Sequence, residues 1–351
     1  MKVVVAPDKF AGTLSAAEAS AAIAEGWRSV RPLDELVLAP MADGGEGTIG
    51  VVEAAHPGAR RHESEVLDAR GRPTAAAWLA LPDGRALIEA AQACGLSQLA
   101  PQERDPVTAS SYGVGQLLLA ACAAGHRELV VGLGGSATVD GGAGAVRALG
   151  HPITGRGGEV EHVRRGAPLG ATVVVAVDVG APLLGPDGAV ACFAPQKGAS
   201  AADLPLLERS LERLADVVER DLAGGPWRDL AGAGAAGGLG FGLAAFCGAL
   251  IAPGAATVAE LVGLAPALAG AELLVTGEGA LDRQTGSGKV PAYVARLARE
   301  RGLTVFALAG RLEDGAGEAF DAAAELGPDG LRRPGELLSA RAAELARSAF
   351  R

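Results

Sequence analysis

The chain has 351 residues, enough for about two domains that each bury a core, and at 49% hydrophobic and 21% charged residues it has a globular composition. A formal net charge of −10 argues against a nucleic-acid or anionic-membrane partner, both of which need basic surface. It leaves room for a small anionic substrate held by a local cluster of donors. Only 3% of the residues are aromatic, so the core must pack by close approach of small side chains, which suits helices layered on a parallel sheet.

Val3-Val4-Val5-Ala6 reads as a buried parallel strand that ends in the polar turn Pro7-Asp8-Lys9-Phe10. Ser15 followed by Glu18 forms a capping box, and an amphipathic helix runs from there to about Val30. A second strand, Glu35 to Ala39, ends at Pro40-Met41-Ala42-Asp43-Gly44-Gly45-Glu46-Gly47, with a helix from Thr48. Two successive βα units predict a doubly wound sheet. Ala75 to Ala80 and Arg85 to Glu89 flank Pro82-Asp83-Gly84 and read as a β-hairpin. A helix around Gly115 to Ala124 leads to the strand Glu128 to Gly132. Two glycine loops follow, Gly132–Gly144 and Gly232–Gly242, with the strand Val173–Val177 between them.

Near the end of the chain, Glu272 to Thr276 is a strand expected to stop at Gly277-Glu278-Gly279, and a helix covers about Pro291 to Arg301. Thr304 to Leu308 is a strand expected to stop at Ala309-Gly310-Arg311, and an amphipathic helix spans about Pro334 to Ala349. The fold class expected is α/β in two domains. Residues 1–66 plus 266–351 form a Rossmann-like, doubly wound parallel sheet domain built from both chain ends. Residues 67–265 form an inserted second α/β domain, with the active site in the cleft. Cys94, Cys122, Cys192 and Cys247 match neither a CxxC pair nor a disulfide ladder and read as buried thiols in a reducing compartment. The apolar run at Val3 leads straight into Pro7-Asp8, as a strand and not a signal peptide would, and no apolar stretch reaches the ~18 residues of a membrane span. The expected location is cytoplasmic.

Only four of the 31 basic residues are lysines, and Lys9, Lys197 and Lys289 all lie in loops beside glycine or proline. A compact ammonium on a flexible stem suits a phosphoryl group as a point charge. In Gly132-Leu133-Gly134-Gly135-Ser136-Ala137-Thr138-Val139-Asp140-Gly141-Gly142-Ala143-Gly144, glycines let backbone N–H groups close on an anion, and Ser136 and Thr138 add hydroxyls. It is not a Walker A loop. Asp8, Asp43 with Glu46, Asp178, and Glu278 with Asp282 lie at or just past strand ends, where open α/β sheets bind ligands. Carboxylates beside phosphate-binding glycines hold Mg²⁺ or take a proton from an attacking hydroxyl. The five histidines are scattered outside the glycine motifs without metal-ligand spacing, which disfavours zinc chemistry and a histidine-based triad.

Six motifs recur in order: Ala6-Pro7-Asp8-Lys9-Phe10; Pro40 to Thr48; Gly134 to Gly144; Phe193-Ala194-Pro195-Gln196-Lys197-Gly198; Gly234-Ala235-Ala236-Gly237-Gly238; and Thr276-Gly277-Glu278-Gly279 with Asp282, Gln284, Thr285, Gly288 and Lys289. Together they resemble the bacterial type I glycerate kinases over residues 1 to about 310. The resemblance implies ATP-dependent phosphorylation of D-glycerate to 2-phosphoglycerate with Mg²⁺, with glycerate and nucleotide as small-molecule partners, no nucleic acid or membrane partner, and a homodimer left open.

On that likeness Lys9, Asp43, Asp178, Lys197 and Lys289 are the catalytic candidates. Asp8, Lys9, Ser15, Asp43, Gly44, Glu46, Glu278, Asp282 and Gln284 would bind the acid. Gly134, Gly135, Ser136, Thr138, Asp140, Gly237 and Gly238 would bind the nucleotide. Metal ligands would come from Asp43, Glu46, Asp178 and Glu278, and Asp178 or Asp43 would orient or deprotonate the attacking hydroxyl. The sequence departs from the family pattern at Ala11, Val139, Ala181 and Ala280, where the family carries lysine, asparagine, asparagine and arginine. Those departures keep two alternatives in play: a kinase of a related hydroxy acid, and a degenerate member that binds nucleotide or sugar acid without turnover.

Overall fold

The structure, a computed structural model, describes residues 1–10, 12–178, 180–281 and 289–349. In chain order the elements begin β1 (Lys2–Val5), α1 (Ala16–Val30), β2 (Glu35–Leu38), α2 (Thr48–Ala55), β3 (Arg60–Leu67), β4 (Pro73–Ala80), β5 (Ala86–Glu89), α3 (Ala90–Cys94), α4 (Tyr112–Ala123), β6 (Glu128–Gly132) and α5 (Ala143–Ala148). They continue β7 (Ile153–Thr154), β8 (His162–Val163), β9 (Thr172–Val177), α6 (Ala189–Phe193), α7 (Leu204–Asp221), α8 (Ala235–Cys247), β10 (Leu250–Pro253), α9 (Gly254–Leu261) and α10 (Leu264–Ala267). Last come β11 (Leu273–Leu281), α11 (Val290–Arg299), β12 (Thr304–Leu312), β13 (Ala322–Glu325) and α12 (Pro334–Ser348).

Contacts divide the chain into two compact units. The first comprises Met1–Asp43, Gly50–Ala55 and Ala255–Arg351; the second comprises Gly44–Ile49 and His56–Gly254. Unit 1 carries a five-stranded, all-parallel sheet in the order β13-β12-β11-β1-β2, so strands from both chain ends lie side by side. The order reverses direction between β1 and β11, the topological switch point of a doubly wound sheet. Both faces are covered, as the period-2 geometry of a strand requires. Val3 and Val5 pack with Ile23 and Trp27 of α1 and Leu338 and Ala342 of α12. Val4 and Ala6 face the opposite way, with Val258 of α9 and Val294 of α11.

The capping box of α1 forms as expected: Glu18 N–H donates to Ser15 Oγ at 3.2 Å, and Ser15 N–H donates to Glu18 Oε2 at 2.8 Å. Gly26 lets α1 approach α12 closely, since a Cβ there would lie 1.9 Å from the Ser339 carbonyl oxygen.

Unit 2 has a six-stranded mixed sheet, β10-β9-β6-β5-β4-β3, parallel from β10 to β5 and antiparallel from β5 to β3. The hairpin at Pro82-Asp83-Gly84 joins β4 to β5, as the sequence suggests. Its cores gather Trp78, Ile88, Leu117 and Val131 in one cluster and Leu211, Leu214, Phe241 and Trp227 in another.

Three sequence expectations need correction. β11 does not stop at Gly277 and β12 does not stop at Ala309; they stay paired through Leu281 and Leu312. The glycines there permit close pairing instead of ending it, because a Cβ on Gly277 would meet the Leu308 carbonyl oxygen at 2.1 Å. The second glycine loop is largely helix: α8 starts at Ala235, with only Ala236, Gly237 and Gly238 left-handed inside it.

Gly26 and Gly50 make opposite predictions. Gly26→Ala forces a methyl group onto backbone that cannot retreat, and destabilises by about 1–3 kcal/mol. Gly50→Ala, at an exposed position of α2 with no atom within 4 Å of the added Cβ, stabilises by about 0.5–1 kcal/mol through helix propensity. Urea unfolding of the two variants checks the signs.

Candidate active site

In unit 1, β1 delivers Asp8 and Lys9 to the carboxyl edge of the sheet. Asp8 N–H donates to Gly277 O at 2.8 Å, and Met41 N–H donates to Pro7 O at 2.9 Å, so this turn is stitched to its neighbours on both sides. Lys9 Nζ lies 3.3 Å from Asp43 Oδ1, with both side chains about one-third exposed at 33%. Asp8 is only 6% exposed and accepts the Lys9 N–H at 2.6 Å. Burial, reinforced by the Asp43 charge and opposed by Lys9, raises the Asp8 carboxyl to about 7. Three of the expected groups, Asp8, Lys9 and Asp43, therefore form one cluster at the switch point.

Glu278 lies one residue past Gly277 on β11 and is half-buried, and half-buried Lys289 immediately precedes α11. Ser15 is exposed and its hydroxyl donates to Glu18 Oε2 at 2.7 Å, which makes it a helix cap. Asp282, Gln284 and the Ala11 departure fall outside the described residues.

In unit 2, the loop after β6 is shaped by Asp140. Its Oδ2 accepts from Ser111 N–H at 2.9 Å, Ser111 Oγ–H at 2.9 Å and Gly144 N–H at 3.0 Å, and its Oδ1 accepts from Gly142 N–H at 3.1 Å. Asp140 is thus a loop organiser, its oxygens already engaged. The start of α8 locks against the same loop. Gly141 N–H donates to Gly237 O at 2.9 Å, and a Cβ on Gly237 would meet Thr138 O at 2.0 Å. Gly237 and Gly238 adopt φ of 68° and 90°, open to glycine at little cost; Ala236 joins them at φ 55°.

Lys197 enters this loop from the short turn Pro195–Lys197 and is 4% exposed. Its Nζ donates to Ser136 Oγ at 3.1 Å and to Thr138 O at 2.8 Å. Burial pulls the Lys197 ammonium down to about 8, with the Asp140 charge partly opposing. Ser136 keeps its own hydroxyl hydrogen for another acceptor, whereas Thr138 turns its hydroxyl to Ala236 O at 3.4 Å. Gly44 and Gly134 are the points where the 44–47 turn touches the loop: a Cβ on Gly134 would lie 2.6 Å from Gly45 Cα. Gly135 lies beside Glu46, whose Oε1 accepts from Ser97 Oγ–H at 3.0 Å. Asp178 stands half-buried just past β9.

Two groups escaped the sequence reading. Ser111, fully buried, supplies two of the donors that hold Asp140. Glu89, 1% exposed at the end of β5, accepts the Ile49 N–H and, at 3.2 Å, the Gln92 side chain. Burial raises its carboxyl above the ordinary range despite those bonds. The strand-end rule that selected the other carboxylates applies equally to Glu89.

The raised Asp8 carboxyl sets a stability test. The folded state holds its proton up to about 7, against 3.8 for an ordinary aspartate, so this group's contribution is full below about pH 4 and is lost as pH rises through 7. Asp8→Asn removes the titration. The difference in Tm between variant and wild type should grow in the variant's favour from pH 4 to pH 8; a constant difference contradicts the buried carboxyl.

Comparison with known proteins gives the family. Residues 3–341 match the sequence profile of the glycerate kinase family. The chain is 39% identical to the glycerate 2-kinase of Escherichia coli K12, over 90% of this chain and 87% of that one. It is 40% identical to the glycerate kinase of Bacillus subtilis 168, over 89% and 85%. The crystal structure of a Salmonella typhimurium LT2 protein assigned as glycerate kinase 2 superposes with a TM-score of 0.86 at 37% identity, covering 99% of this chain and 98% of that one. Sequence and fold agree, and the chain belongs to the glycerate kinase family.

Proposed function

We propose that this chain transfers the γ-phosphoryl group of ATP to the 2-hydroxyl of D-glycerate. The observation that carries the reading is the buried Lys197 ammonium, fastened to Ser136 and Thr138 of a glycine loop in a member of this family. Phosphoryl transfer asks for positioning and charge neutralisation more than for covalent chemistry, and a preorganised ammonium supplies both. The loop from Gly134 to Thr138 holds the nucleotide phosphates, with Asp140, Gly237 and Gly238 fixing its shape. Asp8, Lys9 and Asp43 handle the acid: Lys9 attracts the carboxylate or the moving phosphoryl group, and Asp43 orients or deprotonates the hydroxyl. Asp178 is the other candidate for that last role. Lys289 adds positive charge near the acid, and Glu278 a further polar contact.

Mg²⁺ would be held jointly by protein carboxylate and nucleotide phosphate. Among the described residues no group of three or more His, Cys, Asp or Glu is placed to hold a metal alone. Mg²⁺ characteristically takes one or two carboxylates and completes its shell with phosphate oxygens and water. Asp43, Glu46, Asp178 and Glu278 are the carboxylates from which such ligands would come. When bound, the ion would neutralise phosphate charge. No helix among the described residues is long and apolar enough to cross a membrane, in keeping with a cytoplasmic enzyme acting on small soluble substrates.

Release of ADP with D-glycerate, L-glycerate, lactate and glycolate tests the substrate, and D-glycerate should be preferred. ATP-induced thermal stabilisation without ADP release on any of these acids would favour the non-catalytic alternative. A pH profile tests the lysine. With an ammonium near 8, kcat/KM should fall as pH rises through that value. Lys197→Arg, whose guanidinium stays charged, should retain measurable turnover and lose that alkaline limb. A limb unchanged in the variant would assign it to another group.

A further inference from the structure

Unit 2 contains a cavity of about 500 Å³ beside the glycine loop, bounded on one side by Val139, Asp140 and Gly144 and on the other by α7. The volume falls in the range of small-ligand sites, which combine apolar walls with a few placed polar groups. Val139, Val160 and Leu211 provide the apolar wall, and Tyr112 adds the one aromatic side chain.

Three guanidinium groups line this space; Arg70 is paired with Glu103 at 3.8 Å, as the lining carboxylate Asp68 is with Arg72 at 2.6 Å, which leaves Arg147 and Arg156. Neither makes an ion pair among the described residues. Burial, together with the nearby Arg156 charge, lowers the Arg147 pKa from its ordinary value, with Asp140 opposing. Asp140 cannot turn to relieve them, because four donors already hold its oxygens. Two cations without an ion-pair partner beside an apolar wall call for an anion, and a polyphosphate attached to a flat apolar group satisfies both at once.

We propose that this cavity takes the nucleoside end of ATP, its base against Val139, Val160 and Leu211 and its phosphates leading past Arg147 and Arg156 toward the glycine loop. The assignment rests on the reading that the glycine loop holds nucleotide phosphates, and it adds residues outside every motif named from the sequence.

The test uses the full chain and ATP itself. Ser210→Trp, from a half-buried position of α7 that lines the cavity, places an indole where the base would lie. Arg156→Ala, at an exposed position, removes one cation without touching the core. Titration calorimetry with ATP in the absence of glycerate should show affinity weakened about tenfold or more in each, with KM for D-glycerate unchanged. Affinity for ATP equal to wild type in both overturns the proposal. If Ser210→Trp fails to fold, Arg156→Ala alone decides. A wild type that turns over glycerate beside variants that bind ATP normally would sink the cavity assignment alone. A wild type that binds ATP in this cavity yet never phosphorylates glycerate would sink the kinase reading alone.

Discussion

A buried ammonium is the constraint around which unit 2 is organised. A lysine at 4% exposure has given up its hydration and must recover that cost from fixed acceptors. Lys197 has two, a serine hydroxyl and a main-chain carbonyl, and both belong to the glycine loop. The loop can present them only because its own shape is set from elsewhere, by the four donors on Asp140 and by the left-handed turn at the start of α8. Neither acceptor carries a formal charge. The ammonium is held in place without a formal counter-charge among its hydrogen-bond acceptors.

Unit 1 solves a different problem with opposite charges. Its parallel sheet reverses order between β1 and β11, and the chain leaving β1 carries Asp8 and Lys9 to that point. Asp8 is buried and reluctant to ionise, while Asp43 shares its charge with Lys9 at the margin of solvent. The turn thus sets one buried carboxyl close to another that is paired with a lysine.

Much of this was legible in the sequence because the signals were local. Ser15 with Glu18 announced the start of α1, and Pro82-Asp83-Gly84 announced the hairpin. The scarcity of lysine singled out Lys9, Lys197 and Lys289, and Lys197 is buried with two hydrogen-bond acceptors. What stayed hidden depended on partners distant in sequence. β3 carries Arg60-Arg61-His62-Glu63, hydrophilic because it is an edge strand paired only with β4, and its composition reads as loop. Gly277 and Gly310 look like breaks until strand pairing shows that they let neighbouring backbones meet. Asp140 looks like a ligand residue until Ser111, 29 positions away, is found to be occupying it.

The proposed function requires Lys197 to act on the reacting phosphoryl group and not merely to hold the loop together. The direct measurement is the single-turnover rate of phosphoglycerate formation in Lys197→Met, made at saturating ATP and accompanied by a melting curve. A folded variant whose rate falls by about 10²-fold or more, with ATP still bound, is the predicted result. A folded variant that turns over at the wild-type rate would contradict it.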